Sequence, residues 1–376
     1  MIKSAVALFS SLCFVVSISH AEVNASSSAP HKKAVAKKVV VKKQVRHTKL
    51  VAKASTKNTE VSGLNKNEKL VKHTIVARGK HHVVYQRVSL APVAPVVPPV
   101  ISAGELAGLN LTHDPLALKS NVAFVMDQAS SQVLFEKNAN VALPIASVTK
   151  LMTAMVVVES NQNMSEVLEV TDDDVDREKF STSRLRVGSK LTRDDMLHIA
   201  LMASENRAAS ALGRNYPGGL PAFVAAMNAK AKALGMHDTH YNDSTGLSKT
   251  NVASASDLAK LVVAAYQHPI IRKYSTDTKY FVEPNSHSTM QYGSSNPRLT
   301  LNKDWDIGLQ KTGYINEAGH CLVLQTRIDG RPVVMVFLDS KGKYSHVADA
   351  TRMRQWLASH TQQNLTRLVS KSDSQS

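Results

Sequence analysis

Cysteine is almost absent from this 376-residue chain: there are two, Cys13 and Cys321. Cys13 lies in a short apolar run at the N-terminus, so removal of that run leaves Cys321 alone and excludes an internal disulfide. Cys321 sits in the apolar stretch Cys321-Leu322-Val323-Leu324 and reads as a small buried hydrophobe. Long hydrophobic runs are scarce too; nothing beyond Ile18 is long enough to span a bilayer. The 15 histidines are dispersed, with no His-Glu-x-x-His, and no Gly-rich phosphate loop occurs. The sequence therefore calls for no metal and no cofactor. Acidic residues are nearly missing between Glu22 and Val100, where three stand against 16 Lys and Arg, so that stretch holds +13 of the formal +16.

What is present divides the chain. Lys3, the apolar run from Ala5 to Ile18 and Ser19-His20-Ala21 have the layout of a cleaved secretory signal peptide, residues 1–21. Residues 22–105 are rich in Lys, Val, Ala, Ser and Thr and end in the spacer Ala91-Pro92-Val93-Ala94-Pro95-Val96-Val97-Pro98-Pro99. This composition predicts a disordered basic tail followed by a stiff polyproline linker. A folded domain is expected over 106–360, and a polar tail over 361–376.

Within the domain, Val122 to Asp127 and Gln132 to Glu136 predict a hairpin. Pro144-Ile145-Ala146-Ser147 opens a helix that is apolar on all sides through Val158, which marks it as central and buried. Thr192 caps a second helix that ends at Ser204-Glu205-Asn206. Further helices are expected at Ala222 to Leu234, Ser256 to Tyr266 and His346 to Ala358. Ile307 to Tyr314, His320 to Ile328 and Pro332 to Asp339 read as strands, the last two joined at Asp329-Gly330. The expected fold class is α+β, an α/β/α sandwich with helices on both faces of an antiparallel sheet.

Three short motifs follow in order: Ser147-Val148-Thr149-Lys150, Ser204-Glu205-Asn206 and Lys311-Thr312-Gly313. Each is weak alone, because Ser340 to Lys343 and Ser294 to Asn296 repeat the first two patterns. Only the first set combines a buried helix start, a helix end and a strand. Ser147 and Lys150, three apart on one helix face, fit a nucleophile and its general base, with helix N–H groups near a developing oxyanion. A lysine of ordinary pKa about 10.4 is a poor base, so burial and a second cation, Lys311, are expected to lower it. Ser204 would relay a proton to the leaving amine and Asn206 would hold the substrate backbone. Lys311 and Thr312 on a strand edge would hold a carboxylate, with Gly313 keeping that edge open.

With their flanks, Ala146 to Thr153, Ala203 to Ala209 and Lys311-Thr312-Gly313-Tyr314 with Gly319-His320-Cys321-Leu322, these motifs resemble the low-molecular-mass penicillin-binding proteins. The likeness is strongest to D-alanyl-D-alanine endopeptidases of the penicillin-binding protein 7 type. The resemblance implies a serine β-lactamase/penicillin-binding transpeptidase-like fold, an acyl-enzyme on Ser147, and an oxyanion hole from the Ser147 and Tyr314 N–H groups. It also implies inhibition by β-lactams and hydrolysis of D-Ala-diaminopimelate cross-links in peptidoglycan.

The motifs serve a carboxypeptidase that removes terminal D-Ala equally well. A β-lactamase is disfavoured, because the stretch Arg207 to Gln310 holds a single Glu, Glu283, in the wrong setting. A non-catalytic wall-binding protein is the reading from another class, and intact catalytic residue types argue against it. The expected enzyme is a periplasmic monomer, its basic tail suited to anionic wall polymer or a membrane surface, with no nucleic acid partner once the chain is exported.

Overall fold

The computed structural model describes residues 68–77, 79–89, 101–285 and 288–373, so the signal peptide, the tail up to residue 67 and the polyproline spacer lie outside the described residues. Two compact units divide near Ala94 and Pro95. In the first, β1 (Glu68–Ala77) and β2 (Lys80–Ser89) pair as an antiparallel hairpin around Gly79, whose φ is +75°. The expectation of an irregular tail thus fails over this stretch. Its Val, Ile and Thr content and a glycine able to take the left-handed turn favour strand over coil.

The second unit opens with α1 (Ala103–Leu106), whose start is closed by a Ser102/Glu105 capping box, and Ala103 N–H donates to Glu317 O at 2.9 Å. The fold therefore begins before Leu106. Next come β3 (Ser120–Asp127) and β4 (Val133–Lys137), the predicted hairpin. A two-residue strand, β5 (Leu143–Pro144), leads to a 3-10 turn, Ala146–Val148, and only then to α2 (Thr149–Glu159). After β6 (Val167–Glu169) and β7 (Lys190–Thr192), α3 (Arg193–Met202) starts on a Thr192 capping box, as expected. There follow α4 (Asn206–Arg214), α5 (Gly219–Ala233), β8 (Val252–Ala253), α6 (Ala255–Tyr266) and α7 (Pro269–Thr276). The hairpin β9 (Lys279–Asn285) and β10 (Ser288–Gly293) and the short α8 (Pro297–Thr300) precede β11 (Asp306–Ile315), β12 (Gly319–Ile328) and β13 (Arg331–Ser340). Last, α9 runs Ser345–Asp373. The predicted helix end at Ala358 is too early, since no Gly or Pro follows Gly342 to stop it.

The central sheet is five-stranded and antiparallel, in the order β11-β12-β13-β3-β4. Side chains of its strands alternate between two cores. Val122, Phe124, Val323, Val334 and Val336 join α2, α3 and α6 on one face. Ala123, Val125, Leu324, Met335 and Phe337 join Met353 and Leu357 of α9 on the other. Both faces being covered explains why β12 and β13 are almost continuously apolar, and it gives the α/β/α layering expected from sequence. Cys321 is fully buried at the start of β12, and burial pushes its thiol up to about 12, in keeping with a structural role.

Truncating the fully buried Phe337 to Ala should lower unfolding free energy by about 3–5 kcal/mol. Denaturant unfolding monitored by circular dichroism checks this; a loss under about 1 kcal/mol would mean that the α9-side core is looser than described.

Candidate active site

Ser147 does not lie on the α-helix itself. It is the middle residue of the 3-10 turn before α2, and Ala146 ahead of it has φ +48°, a left-handed conformation costly for a residue with a Cβ. Two glycines allow that turn. A Cβ on Gly246 would come within 1.9 Å of Ala146 O, and one on Gly313 within 2.8 Å of Ile145 O and 3.0 Å of Ser147 N. Gly313 is therefore required for β11 to pass against the Ser147 turn, a tighter demand than leaving the strand edge open. Gly246 carried no motif in the sequence.

The loop holding Gly246 is built around Asp243, whose carboxylate accepts from Thr245 N–H and Gly246 N–H, both at 2.6 Å, and from Ser248 N–H at 3.0 Å. This loop aims Thr245 O at Lys150. The Lys150 amine is fully enclosed and has three neighbours: Thr245 O at 2.6 Å, Asn206 Oδ1 at 2.7 Å and Ser147 Oγ at 2.9 Å. A neutral amine has two N–H donors and one lone pair. The carbonyl of Thr245 and the amide oxygen of Asn206 can only accept, so they take the two donors. The lone pair is left for the Ser147 O–H.

Burial lowers the Lys150 pKa to about 7, against smaller opposing effects of the Asp243 and Glu205 carboxylates. Of the two causes expected, burial is the one found at Lys150; the charge repulsion is felt at Lys311, which burial and then Lys150 hold well below an ordinary lysine. The Lys311 amine is fully buried and donates to Ser204 Oγ and Thr312 O, each at 2.9 Å.

Ser204 occupies the break between α3 and α4 with φ +61°, and Asn206 is the first residue of α4. Asn206 was expected to hold substrate backbone; in the structure its Oδ1 accepts from Lys150 and its Nδ2 donates to Ser181 Oγ at 2.9 Å, which leaves one N–H and one lone pair for a ligand. In this arrangement it positions Lys150. Thr312 Oγ1 lies 3.2 Å from Ser295 Oγ, and Ser295 and Asn296 line the cleft, so the repeat set aside in the sequence contributes two residues to it. The other repeat is different: Ser340 ends a sheet strand with its hydroxyl buried, while Lys343 faces the cleft. Ser147, Ser204, Asn206, Thr312, Gly313 and Tyr314 line one cleft of about 730 Å³, which is also lined by Arg298, His320, Lys343 and His346. Among the described residues no group of His, Cys, Asp and Glu could hold a metal ion.

Such a cleft can deprotonate a serine, receive an oxyanion beside the Ser147 turn and hold a carboxylate near Lys311 and Thr312. Residues 110–342 match the family model described as D-alanyl-D-alanine carboxypeptidase. The D-alanyl-D-alanine endopeptidase of Pseudomonas aeruginosa is 50% identical over 254 residues, 67% of this chain and 80% of that protein. That of Escherichia coli is 44% identical over 243 residues, 64% of this chain and 77% of that protein. Among solved structures, the Streptomyces K15 DD-transpeptidase superposes with TM-score 0.60 at 26% identity, over 65% of this chain and 98% of that one. Penicillin-binding protein D2 of Listeria monocytogenes, in a cefotaxime-bound form, superposes with TM-score 0.57 at 25% identity, over 65% of this chain and 98% of that one.

Because Lys150 must be uncharged to take a proton, the rate of Ser147 acylation by a penicillin should climb about tenfold per pH unit below 7 and level off above it. Stopped-flow acylation across pH 5 to 9 reads this directly, and a flat profile would contradict it. Gly246→Ala should cut acylation by about 100-fold or more through displacement of the Ser147 turn. Wild-type rates in that variant would show that the turn tolerates the clash.

Proposed function

The chain belongs to the D-alanyl-D-alanine carboxypeptidase family of serine peptidases, and from that premise we propose that it is a D,D-endopeptidase that hydrolyses D-Ala-diaminopimelate cross-links of peptidoglycan. The observation that carries the chemistry is the Lys150 amine, buried and hydrogen-bonded so that its lone pair meets Ser147. In the proposed reaction, Lys150 takes the Ser147 proton as Oγ attacks the D-Ala carbonyl carbon. The Ser147 and Tyr314 N–H groups stabilise the oxyanion. The C–N bond then breaks, the leaving amine receiving a proton through Ser204, and water hydrolyses the ester with Lys150 again as base. Lys311, Thr312 and Ser295 hold the carboxylate next to the scissile nitrogen. That carboxylate restores the charge that burial disfavours on Lys311. A β-lactam enters the same chemistry and stays as the acyl-enzyme.

Cross-link cleavage is preferred because the relatives at 50% and 44% identity are both named endopeptidases. The family description itself names a carboxypeptidase, so removal of terminal D-Ala is the second reading. We place the enzyme in the periplasm, delivered by the signal peptide of residues 1–21, as a monomer. Its basic tail, 22–105, supplies electrostatic attraction to anionic wall polymer or lipid. Among the described residues no helix is long and apolar enough to cross a membrane.

Purified residues 22–376, incubated with cross-linked muropeptide dimers, should release monomers, and Ser147→Ala should lower the rate by roughly a thousandfold or more. Loss of D-Ala from pentapeptides with dimers left intact would reverse the order of the two readings.

A further inference from the structure

The segment from Thr171 to Ser189 carries none of the three motifs, yet it is tied to both sides of the active site. Asp174 anchors it to α4, accepting from Ser210 Oγ at 2.8 Å and pairing with Arg214 at 2.9 Å. Asp176 then folds the next residues into a tight turn, its carboxylate accepting from the N–H groups of Glu178 and Lys179 at 2.9 Å and of Ser181 at 2.8 Å. On one side of this turn Lys179 Nζ pairs with Glu317 Oε1 at 2.6 Å, in the β11–β12 connection. On the other, Ser181 Oγ accepts from Asn206 Nδ2, the amide whose oxygen holds Lys150.

Phe180 stands between these two anchors. The residue is 81% exposed, the highest value among the described large apolar residues, and its φ is +53°. Neither feature helps the fold. An exposed phenyl ring forgoes burial, and a bulky residue in the left-handed region is strained. Both persist because Asp176, Lys179 and Ser181 fix the backbone on either side. A ring on a backbone fixed at both sides has less ordering entropy to lose when a ligand covers it than one on a free loop.

We propose that Phe180 is a specificity-determining residue that packs against the aliphatic part of the second peptide stem in a cross-linked substrate. The proposal rests on the endopeptidase reading. The polar cleft lined by Ser147, Ser204 and Thr312 suits the backbone and carboxylate around the scissile bond. Phe180 directly precedes Ser181, which accepts a hydrogen bond from the cleft-lining Asn206. A substrate ending at a terminal D-Ala stops at the cleft, whereas a cross-linked one continues through the methylene chain of diaminopimelate and meets the ring.

The test compares wild type, Phe180→Ala and Phe180→Leu on muropeptide dimers, on monomeric pentapeptide and in acylation by a fluorescent penicillin. Phe180→Ala should raise KM for dimers about tenfold with kcat unchanged, and Phe180→Leu should recover part of the loss. Pentapeptide kinetics, penicillin acylation and thermal midpoint should stay at wild-type values. An unchanged dimer KM would overturn the proposal. So would equal losses on all three substrates, which would make Phe180 a prop for Ser181 and Asn206. If wild type reacts with penicillin but leaves dimers intact, the endopeptidase reading itself fails, and this proposal with it.

Discussion

The arrangement depends on one enclosed amine. Lys150 is buried without a carboxylate in contact; its partners are a carbonyl, an amide oxygen and a hydroxyl. An ammonium in that setting loses its hydration and gains only dipoles in return, so the neutral form is favoured near neutral pH. Each neighbouring feature serves this geometry. The Asp243 loop delivers Thr245 O, α4 delivers Asn206, and the strained Ala146 turn brings Ser147 to the one direction that the amine leaves open.

The same logic accounts for residues that touch no substrate. Thr153 Oγ1 donates to Ser244 O at 2.7 Å and Asn251 Nδ2 to Thr149 Oγ1 at 3.1 Å, which locks α2 to the loop that carries Thr245. Glu205 caps α4 through Arg207 N–H and accepts from Ser183 Oγ at 2.6 Å and Tyr292 OH at 3.2 Å. It thereby fixes the break in which Ser204 takes its left-handed backbone. Strain at Ala146 and Ser204, on the two walls facing each other across Lys150, is maintained by these buried contacts. A second lysine so close is tolerated because burial disfavours Lys311 too as a cation.

Much of this was legible in the sequence, for stated reasons. Continuous apolar runs revealed the buried helix and the doubly covered strands, and the order of the three motifs named Ser147, Lys150, Ser204, Asn206 and Lys311. The turn before α2 was not legible, since a left-handed Ala146 has no local signature and depends on Gly246, a hundred residues later. Ser295 was passed over because a polar loop before Pro297 resembles any other loop until β11 brings Thr312 beside it. Thr245 contributes only a backbone carbonyl, which every residue type has. Phe180 is isolated in a polar stretch, and its exposure appears only once Asp176, Glu317 and Asn206 are placed around it. Burial of Lys150, one of the two causes expected for its low pKa, was legible from the apolar helix around it; the expected contribution of Lys311 is not found there.

The central claim is the protonation state of that amine. Direct titration of the Lys150 Nζ by NMR, with lysine labelled at Cε and the signal assigned through a Lys150→Arg control, measures it without reliance on turnover. A midpoint near 7 is expected. A midpoint near the ordinary lysine value of about 10.4 would contradict it, leaving Ser147 without its base.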